Sequence, residues 1–254
     1  MIVCKSPAEL EKMRAANQLV ARILDELAAM VAPGVSTAEL DAAAESKVRA
    51  AGAEPAFKGY RGYPATLCAS VNEQVVHGIP SPTPLKPGDI VSLDMGVKLD
   101  GYYGDSAVTV PVGVVGEDVK ALLRVTQQAL EKGIAEVKIG GRISDIGHAI
   151  QAHVEAHGFS VVREFVGHGI GASLHEEPQI ANYGEPGRGP RLAEGMTLAI
   201  EPMVNMGKPA VKVLADGWTA VTKDGSLSAH FEHTVAVTKN GPMVLTARPV
   251  VAGR

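Results

Sequence analysis

The stretch DIVSLDMGVKLDGYYGDSAVTV (residues 89–110) decides the fold of this chain. Two runs of alternating, β-branched residues flank residues 98–101, a pattern that predicts a β-hairpin. If all four of those residues form the loop, Asp94 and Asp105 stand directly opposite each other. A tighter Asp-Gly turn would instead make them diagonal neighbours on the same face. In either register the two carboxylates come within about 4.5–8 Å of each other.

A faint internal repeat places two further acidic residues in equivalent positions. The segment PGDIVSLDMG resembles EGMTLAIEPM at an offset of 107 residues, which aligns Asp94 with Glu201. DSAVTV similarly resembles EHTVAV, which aligns Asp105 with Glu232. Self-similarity of this kind indicates a duplicated supersecondary unit. We therefore expect a second pair of carboxylates that faces the first pair.

The remaining elements fit one α+β domain over residues 1–254, with an antiparallel sheet of pseudo-two-fold symmetry and helices on its outer face. Its two pseudo-repeats would span roughly residues 1–112 and 113–254. A Ser-x-x-Glu start predicts the first two helices. The predicted helices run from Ser6 to before Pro33 and over 36–51, 118–132 and 144–157; the predicted strands are 89–97, 102–112, 160–166, 196–206 and 230–238.

The setting of the four carboxylates favours a metal site. Asp94 lies in IVSLDMGV and Glu201 in LAIEPMV, apolar runs that are typical of buried strands. A lone aspartate would more often be exposed to solvent, but four acidic groups that converge in a core need a counter-charge. Two divalent cations would supply it. Carboxylates with an imidazole suit Mn²⁺, Fe²⁺ or Co²⁺, and Zn²⁺ is an alternative.

Five motifs in order identify a family. They are VNEQVVHGIP (71–80), DGYYGDSA (100–107), GHGIGASLHEEP (167–178), IEPM (200–203) and FEHT (231–234). Together they resemble the metal and substrate sites of the methionine aminopeptidases, which share the pita-bread fold with prolidase, aminopeptidase P and creatinase. Only 25 residues separate His175 from Glu201, which fits the type I subclass, because type II enzymes carry a large helical insertion there.

The resemblance implies a role for each site residue. Asp94 would bind one metal, Asp105 and Glu232 would bridge both, and His168 with Glu201 would complete the second. A hydroxide shared by the metals would attack the first peptide bond of a nascent polypeptide and release its initiator methionine. Glu201 would carry the proton to the leaving amine, His175 would stabilise the tetrahedral intermediate, and His77 would contact the substrate.

The resemblance also implies an apolar slot for the methionine side chain, lined by Tyr60, Tyr63, Cys68 and Trp218. Aromatic residues such as these are more often packing residues when taken alone. Leu174 and Phe57 differ from some relatives at this slot. Asn72, Gln74 and Ser228 match a monovalent-cation site in similar proteins.

Five other histidines have simpler interpretations. His153 and His157 share one predicted helix, but no third ligand is nearby, and with His148 they are expected at the surface or at the helix end. His230 and His233 flank Glu232 and either support the ligands or are exposed.

Composition and charge limit the classes of binding partner that we expect. The 254-residue chain carries a net charge of −4, so nothing predicts direct binding to nucleic acid or to a membrane. The two cysteines make no disulfide framework, and we expect a cytoplasmic monomer. Nascent-chain substrates suggest association with the ribosome. Two alternatives are a catalytically inactive binding protein on the same fold and a proline-specific peptidase.

Overall fold

Within residues 1–247, the part of the chain described by the computed structural model, four helices form close to where the capping patterns predict them. Ser6 and Ser36 each accept a hydrogen bond from the backbone N–H of the glutamate three residues later, whose side chain binds back to the serine N–H. These reciprocal bonds satisfy groups that a helix start leaves unpaired. The helices are α1 (Pro7–Met30), α2 (Thr37–Ala50), α3 (Glu117–Ala135) and α4 (Ile143–Ala156).

Most strands are short, and the two longest have ten residues each. They are β1 (Glu54–Pro55), β2 (Leu67–Val71), β3 (Gln74–Val76), β4 (Ile90–Leu99), β5 (Tyr102–Pro111), β6 (Ser160–Val161), β7 (Gly167–Gly169), β8 (Glu176–Ile180), β9 (Thr197–Ile200), β10 (Met203–Asn205), β11 (Val211–Val213), β12 (Ala220–Thr222), β13 (Ser228–His230), β14 (Glu232–Thr238) and β15 (Gly241–Val244).

One large antiparallel sheet has the order β1-β4-β5-β14-β9-β7-β8, with β2 also paired to β4 and β15 to β14. Two small sheets, β13-β10-β6 and β11-β12-β3, stand beside it. Hairpin β4–β5 and strands β14 and β9 form the middle of the large sheet. The acidic residues of both predicted pairs are therefore brought to adjacent strands.

The tighter of the two predicted hairpin registers is the one observed. Asp100 and Gly101 form a two-residue turn with φ of 50° and 83°, the left-handed region that such turns require. Asp94 pairs with Ala107 and Gly96 with Asp105. Asp94 and Asp105 are consequently diagonal neighbours whose side chains point to the same face.

The predicted strand 160–166 is wrong beyond Val161. Only Ser160 and Val161 pair with β10. The N–H of Arg163 binds the Glu164 carboxylate instead of a neighbouring strand. This local side-chain bond removes a donor that a continuing ladder would need.

The predicted strand 196–206 divides at Pro202 into β9, in the large sheet, and β10, in a small one. Proline has no N–H to donate to a ladder, and the Pro202 carbonyl accepts the N–H of Phe231 instead. The predicted strand 230–238 likewise begins only at Glu232, because residues up to His230 belong to β13. The break leaves Glu201 between two sheets.

Each half of the sheet has its own helical cover. α1 packs on β4 and β5 with α2 beside it, whereas α3 and α4 pack on each other and on strands of the second half. Leu24, Leu40 and Leu93 are among the residues of the first core, and Leu122 and Ile150 among those of the second. Two cores around the β5–β14 pair give the predicted pseudo-two-fold arrangement.

The division into sequence repeats at 1–112 and 113–254 stays a prediction, and its last residues, 248–254, lie outside the described part. Within residues 1–247 no helix is long and apolar enough to cross a bilayer.

Candidate metal and substrate site

The four predicted carboxylates line one cavity. Asp94 and Asp105 come from β4 and β5, Glu232 begins β14, and Glu201 follows β9. Asp105 and Glu232 are buried, whereas Asp94 and Glu201 keep partial exposure towards the cavity. Four adjacent strands thus bring together side chains that are up to 138 positions apart, from Asp94 to Glu232.

This cluster is electrostatically unsatisfied. Burial raises the pKa of Asp105 to about 7. Burial, together with the neighbouring acidic groups, raises the pKa of Asp94, Glu201 and Glu232 well above the usual range. Among residues 1–247, Asp94 Oδ1, Asp105 Oδ1 and Glu232 Oε1 are buried without a hydrogen-bond partner. Orphaned carboxylate oxygens at this density fit a site for cations.

His168 brings a ring nitrogen to the same point. Its Nε2 lies 3.6 Å from Glu201 Oε1 and 4.0 Å from Asp105 Oδ2. Its Nδ1 lies 2.9 Å from the Gly169 carbonyl, so the proton belongs on Nδ1 and the lone pair of Nε2 faces the carboxylates. Burial lowers its pKa, which favours the neutral ring. Ligand atoms of Asp105, His168 and Glu232 all lie within 4.8 Å of one another.

The glycines around His168 allow a close approach of strands. A Cβ added at Gly167 would lie 2.3 Å from the Ala199 carbonyl oxygen, and one at Gly169 would lie 2.2 Å from that of Glu177. Such contacts are impossible without moving the backbone. Glycine on either side therefore lets β7 sit tightly between β8 and β9 while His168 points into the cavity.

His230 is a site residue to which the sequence assigned no definite role. It is 2% exposed, and its Nε2 lies 3.5 Å from Glu201 Oε2. Burial, and secondarily the charge of His77, lowers its pKa to about 3. Its backbone is fixed because His230 N–H donates to Thr109 Oγ1, which in turn donates to the His230 carbonyl. His233, by contrast, turns away and lies 2.8 Å from Thr246 Oγ1 through Nδ1.

One wall of the cavity is apolar. Tyr63 and Cys68 are buried there, and the Tyr63 ring meets Trp218 edge-on at 5.1 Å. Phe57 and Leu174, the two departures from some relatives, also line it. Burial and the nearby Asp94 raise the pKa of the Cys68 thiol, so this cysteine is a packing group and not a thiolate nucleophile. The volume, about 150 Å³, suits one side chain.

His77 and His175 stand between the apolar wall and the acidic cluster. His77 packs edge-on against Phe165 and Trp218, and burial lowers its pKa. The His175 Nδ1 lies 2.9 Å from the Tyr60 hydroxyl, and the two rings stack at 5.2 Å. Burial, followed by the charge of His168, lowers the pKa of His175 to about 3. Both imidazoles are neutral at pH 7.

The other predicted histidines and polar residues lie away from this cavity. His148 and His157 are exposed and His153 half-buried. Asn72, Gln74 and Ser228 do come together outside the cavity, since the Ser228 N–H donates to the Asn72 carbonyl. Their side chains are hydrogen-bonded within the protein, Gln74 to the N–H of Val71 and Ser228 to Asn205. The monovalent-cation site stays a prediction.

Comparison with known proteins decides the family. The sequence profile of metallopeptidase family M24 matches residues 11–239. The chain is 56% identical over 246 residues to methionine aminopeptidase 1 of Bacillus subtilis, covering 97% of this chain and 99% of that protein. The chain belongs to family M24, among its methionine aminopeptidases. The family resemblance inferred from the five motifs is thereby confirmed.

Other relatives agree with this assignment. Methionine aminopeptidase 1 of Mycobacterium tuberculosis is 48% identical over 249 residues, which is 95% of this chain and 94% of that protein. The crystal structure of methionine aminopeptidase from Rickettsia prowazekii superposes with a TM-score of 0.96 at 45% identity and covers 97% of this chain and 100% of its own. The pita-bread fold predicted from the sequence is confirmed.

Prolidase from Pyrococcus furiosus shares the fold alone. It matches with a TM-score of 0.78 at 22% identity, and the alignment covers 97% of this chain but 66% of the prolidase. The likeness therefore concerns the fold and carries no conclusion about activity or substrate.

Proposed function

We propose that this chain is a type I methionine aminopeptidase that removes the initiator methionine from nascent polypeptides. The proposal depends on one observation, that the acidic cluster and the apolar wall line the same cavity. Relatives named methionine aminopeptidase, up to 56% identical over nearly the whole chain, support the same activity. The small cavity suits a single side chain, and the restriction to the N-terminal residue is proposed from the relatives named methionine aminopeptidase.

Two divalent ions would be held by Asp94, Asp105, His168, Glu201 and Glu232. The candidate ions are Mn²⁺, Co²⁺, Fe²⁺ and Zn²⁺. A bound pair of such ions polarises a carbonyl and lowers the pKa of a water, which makes hydrolysis feasible at neutral pH. In this proposal Asp105 and Glu232 would serve both ions. The orphaned oxygens of Asp94, Asp105 and Glu232 support the binding of cations by this cluster.

The apolar wall would bind the methionine side chain and exclude water from it. Tyr60, Tyr63, Cys68 and Trp218 would form this wall, with Tyr63 held by donating its hydroxyl to the Leu67 and Gly78 carbonyls. A rigid pocket of this kind selects a side chain by its shape and apolar area.

The two neutral histidines would act on the scissile peptide. A Tyr60 hydroxyl that donates to His175 Nδ1 leaves the proton on Nε2. That N–H would then donate to the carbonyl oxygen as negative charge develops on it, which is where a hydrogen bond contributes most to the rate. His77 would contact the substrate near the scissile bond, and Glu201 would carry a proton to the leaving amine.

The proposal extends to where the enzyme acts and in which oligomeric state. The substrate class suggests a cytoplasmic enzyme that meets nascent chains at the ribosome, without direct contacts to nucleic acid or membrane. A monomer suffices, because one chain supplies all the residues named above. A monovalent cation at Asn72, Gln74 and Ser228 would stabilise the loop that leads to His77.

A chelator experiment tests the function. The protein is stripped of metal, reloaded separately with Mn²⁺, Co²⁺, Fe²⁺ or Zn²⁺, and offered Met-Ala-Ser and Ala-Pro-Ser. We expect metal-dependent release of free methionine from the first peptide and no cleavage of the second. Cleavage of Ala-Pro-Ser would support a proline-specific peptidase. Inactivity on Met-Ala-Ser with all four metals would contradict the proposal.

A further inference from the structure

A buried ion pair ties the loop that carries His175 to the start of the chain. Lys5 Nζ lies 2.5 Å from Glu176 Oε2, and the two side chains are 3% and 13% exposed. Lysine is seldom buried unless it is paired, and desolvation offsets most of the attraction in such a pair. Neither charge has a part in the proposed reaction. The pair therefore calls for another explanation.

Lys5 is fixed at its backbone as well as at its side chain. Its N–H donates to the Gly195 carbonyl at 2.7 Å, just before β9 begins. Its Nζ also donates to the Val3 carbonyl at 3.0 Å. The ammonium group is thus held beside the start of β9.

Glu176 uses both carboxylate oxygens to close the loop. Oε2 meets Lys5, while Oε1 accepts the N–H of Ser173 at 3.1 Å. The backbone folds over the pair, since a Cβ added at Gly171 would lie 2.4 Å from Lys5 Cε and 2.6 Å from Glu176 Oε1. The loop is therefore anchored on one side by the ion pair.

We infer that Lys5 is a positioning residue for His175. Glu176 directly follows His175 in the chain, so the ion pair fixes the backbone of the histidine, while Tyr60 holds its ring from the other side. Glu176 also pairs through its backbone with Gly169, but His168 has its own backbone pairing with Ala199 of β9 and Gln179 of β8, which does not use the ion pair. Loss of Lys5 would displace His175 and leave the proposed metal ligands in place.

The inference rests on the proposed function, in which His175 contacts the substrate. The test compares Lys5→Met with the matched control Lys58→Met, whose lysine is also paired with a glutamate but is 44% exposed. We expect Lys5→Met to lower kcat on Met-Ala-Ser roughly 10-fold or more, as misplaced catalytic groups do. KM and bound metal should stay at the wild-type value, and Lys58→Met should match the wild type.

A double-mutant cycle separates positioning from general damage. In a His175→Ala background, Lys5→Met should cause no further loss of kcat, because the residue through which it acts is gone. The same fractional loss in both backgrounds would overturn the inference. Should Lys5→Met fail to fold, Lys5→Met/Glu176→Met removes both charges together. Wild-type kcat in that folded variant would equally overturn it.

A spectroscopic readout keeps the inference distinct from the proposed activity. The ring resonances of His175, assigned by their absence in His175→Ala, should shift in Lys5→Met and not in Lys58→Met. Unchanged His175 resonances would contradict the positioning role even if the wild-type protein proved inactive on Met-Ala-Ser. Shifted resonances together with such inactivity would support the role of Lys5 and reject the peptidase function alone.

Discussion

Glu201 Oε2 and His230 Nε2 lie 3.5 Å apart at the junction of the large sheet and a small one. Within the described chain, His230 Nε2 is buried and makes no hydrogen bond. Both groups are held by the strand ends around Pro202, where β9 gives way to β10. A neutral imidazole at this distance can orient the carboxylate without neutralising it, so that Glu201 stays available to a cation.

His230→Leu should weaken metal binding, because Glu201 loses the group that orients it. Residues that orient a metal ligand typically raise the affinity for the metal 10–100-fold, and we expect a loss of metal affinity of about that size. Titration of the metal-free protein with Mn²⁺, followed by calorimetry, measures it. His157→Leu, at an exposed helix end, is the control and should leave the affinity unchanged. Equal affinities for the two variants would remove His230 from the site.

Asp105→Asn should lose metal and activity yet stabilise the metal-free protein. Asparagine keeps the shape of the side chain but removes one of four buried acidic groups. The variant therefore loses the repulsion between residue 105 and the carboxyl groups of Asp94, Glu201 and Glu232. Metal analysis after dialysis and thermal unfolding in chelator check both effects. Asp118→Asn, in the exposed first turn of α3, serves as a control. Unchanged metal stoichiometry in Asp105→Asn would contradict its bridging role.

Much of the fold and site could be read from the sequence because the signals were local or repeated. The serine-capped starts of α1 and α2 and the Asp-Gly turn each depend on a few adjacent residues. The four carboxylates could be paired because the repeat aligned them. The motifs then identified the histidines through family resemblance.

The rest depended on contacts between distant residues. The end of the predicted strand at Val161 and the division of 196–206 follow from which strands pair, and periodicity alone does not report pairing. The contact of His230 with Glu201 requires the sheet break at Pro202. The Lys5–Glu176 pair joins residues 171 positions apart, for which no local pattern exists.

Tyr60→Phe should lower kcat while it preserves the aromatic stack on His175. The variant removes only the hydroxyl that lies 2.9 Å from His175 Nδ1, so the ring loses the bond that selects the Nε2–H form. A hydrogen bond of about 1 kcal/mol corresponds to roughly a fivefold lower kcat. Steady-state kinetics on Met-Ala-Ser measures the change, with Tyr183→Phe, which lies outside the cavity, as the control. A lower affinity for metal would show that the hydroxyl acts elsewhere.

Gly101→Ala should destabilise the hairpin that carries Asp94 and Asp105. The residue has φ of 83°, where a Cβ costs about 1–2 kcal/mol. For a chain of this size that cost lowers Tm by roughly 2–8 °C. Gly101→Asn is the control, because asparagine tolerates the left-handed region better than alanine, and it should have a smaller effect on Tm. Equal Tm values for wild type and Gly101→Ala would contradict the assigned turn.

The metal-free protein should become less stable as pH rises above about 6.5. The pKa of Asp105 is raised from 3.8 to about 7, and those of Asp94, Glu201 and Glu232 are also raised. At these four carboxyl groups the folded state therefore binds more protons than the unfolded state above about pH 4, and the corresponding stability disappears as pH rises through the folded pKa values. The buried histidines of the site, whose pKa values are lowered, oppose this effect below about pH 6.5, where they are protonated only in the unfolded state. Thermal unfolding of chelator-treated protein from about pH 6.5 to pH 8 should therefore give a falling Tm. Mn²⁺ should raise Tm most at pH 8, where the carboxylates have lost their protons and bind cations best.

Asp105→Asn should flatten the pH dependence of Tm in this range. A Tm that rises with pH over the same range in the metal-free wild type would show that the acidic cluster is not protonated in the folded state.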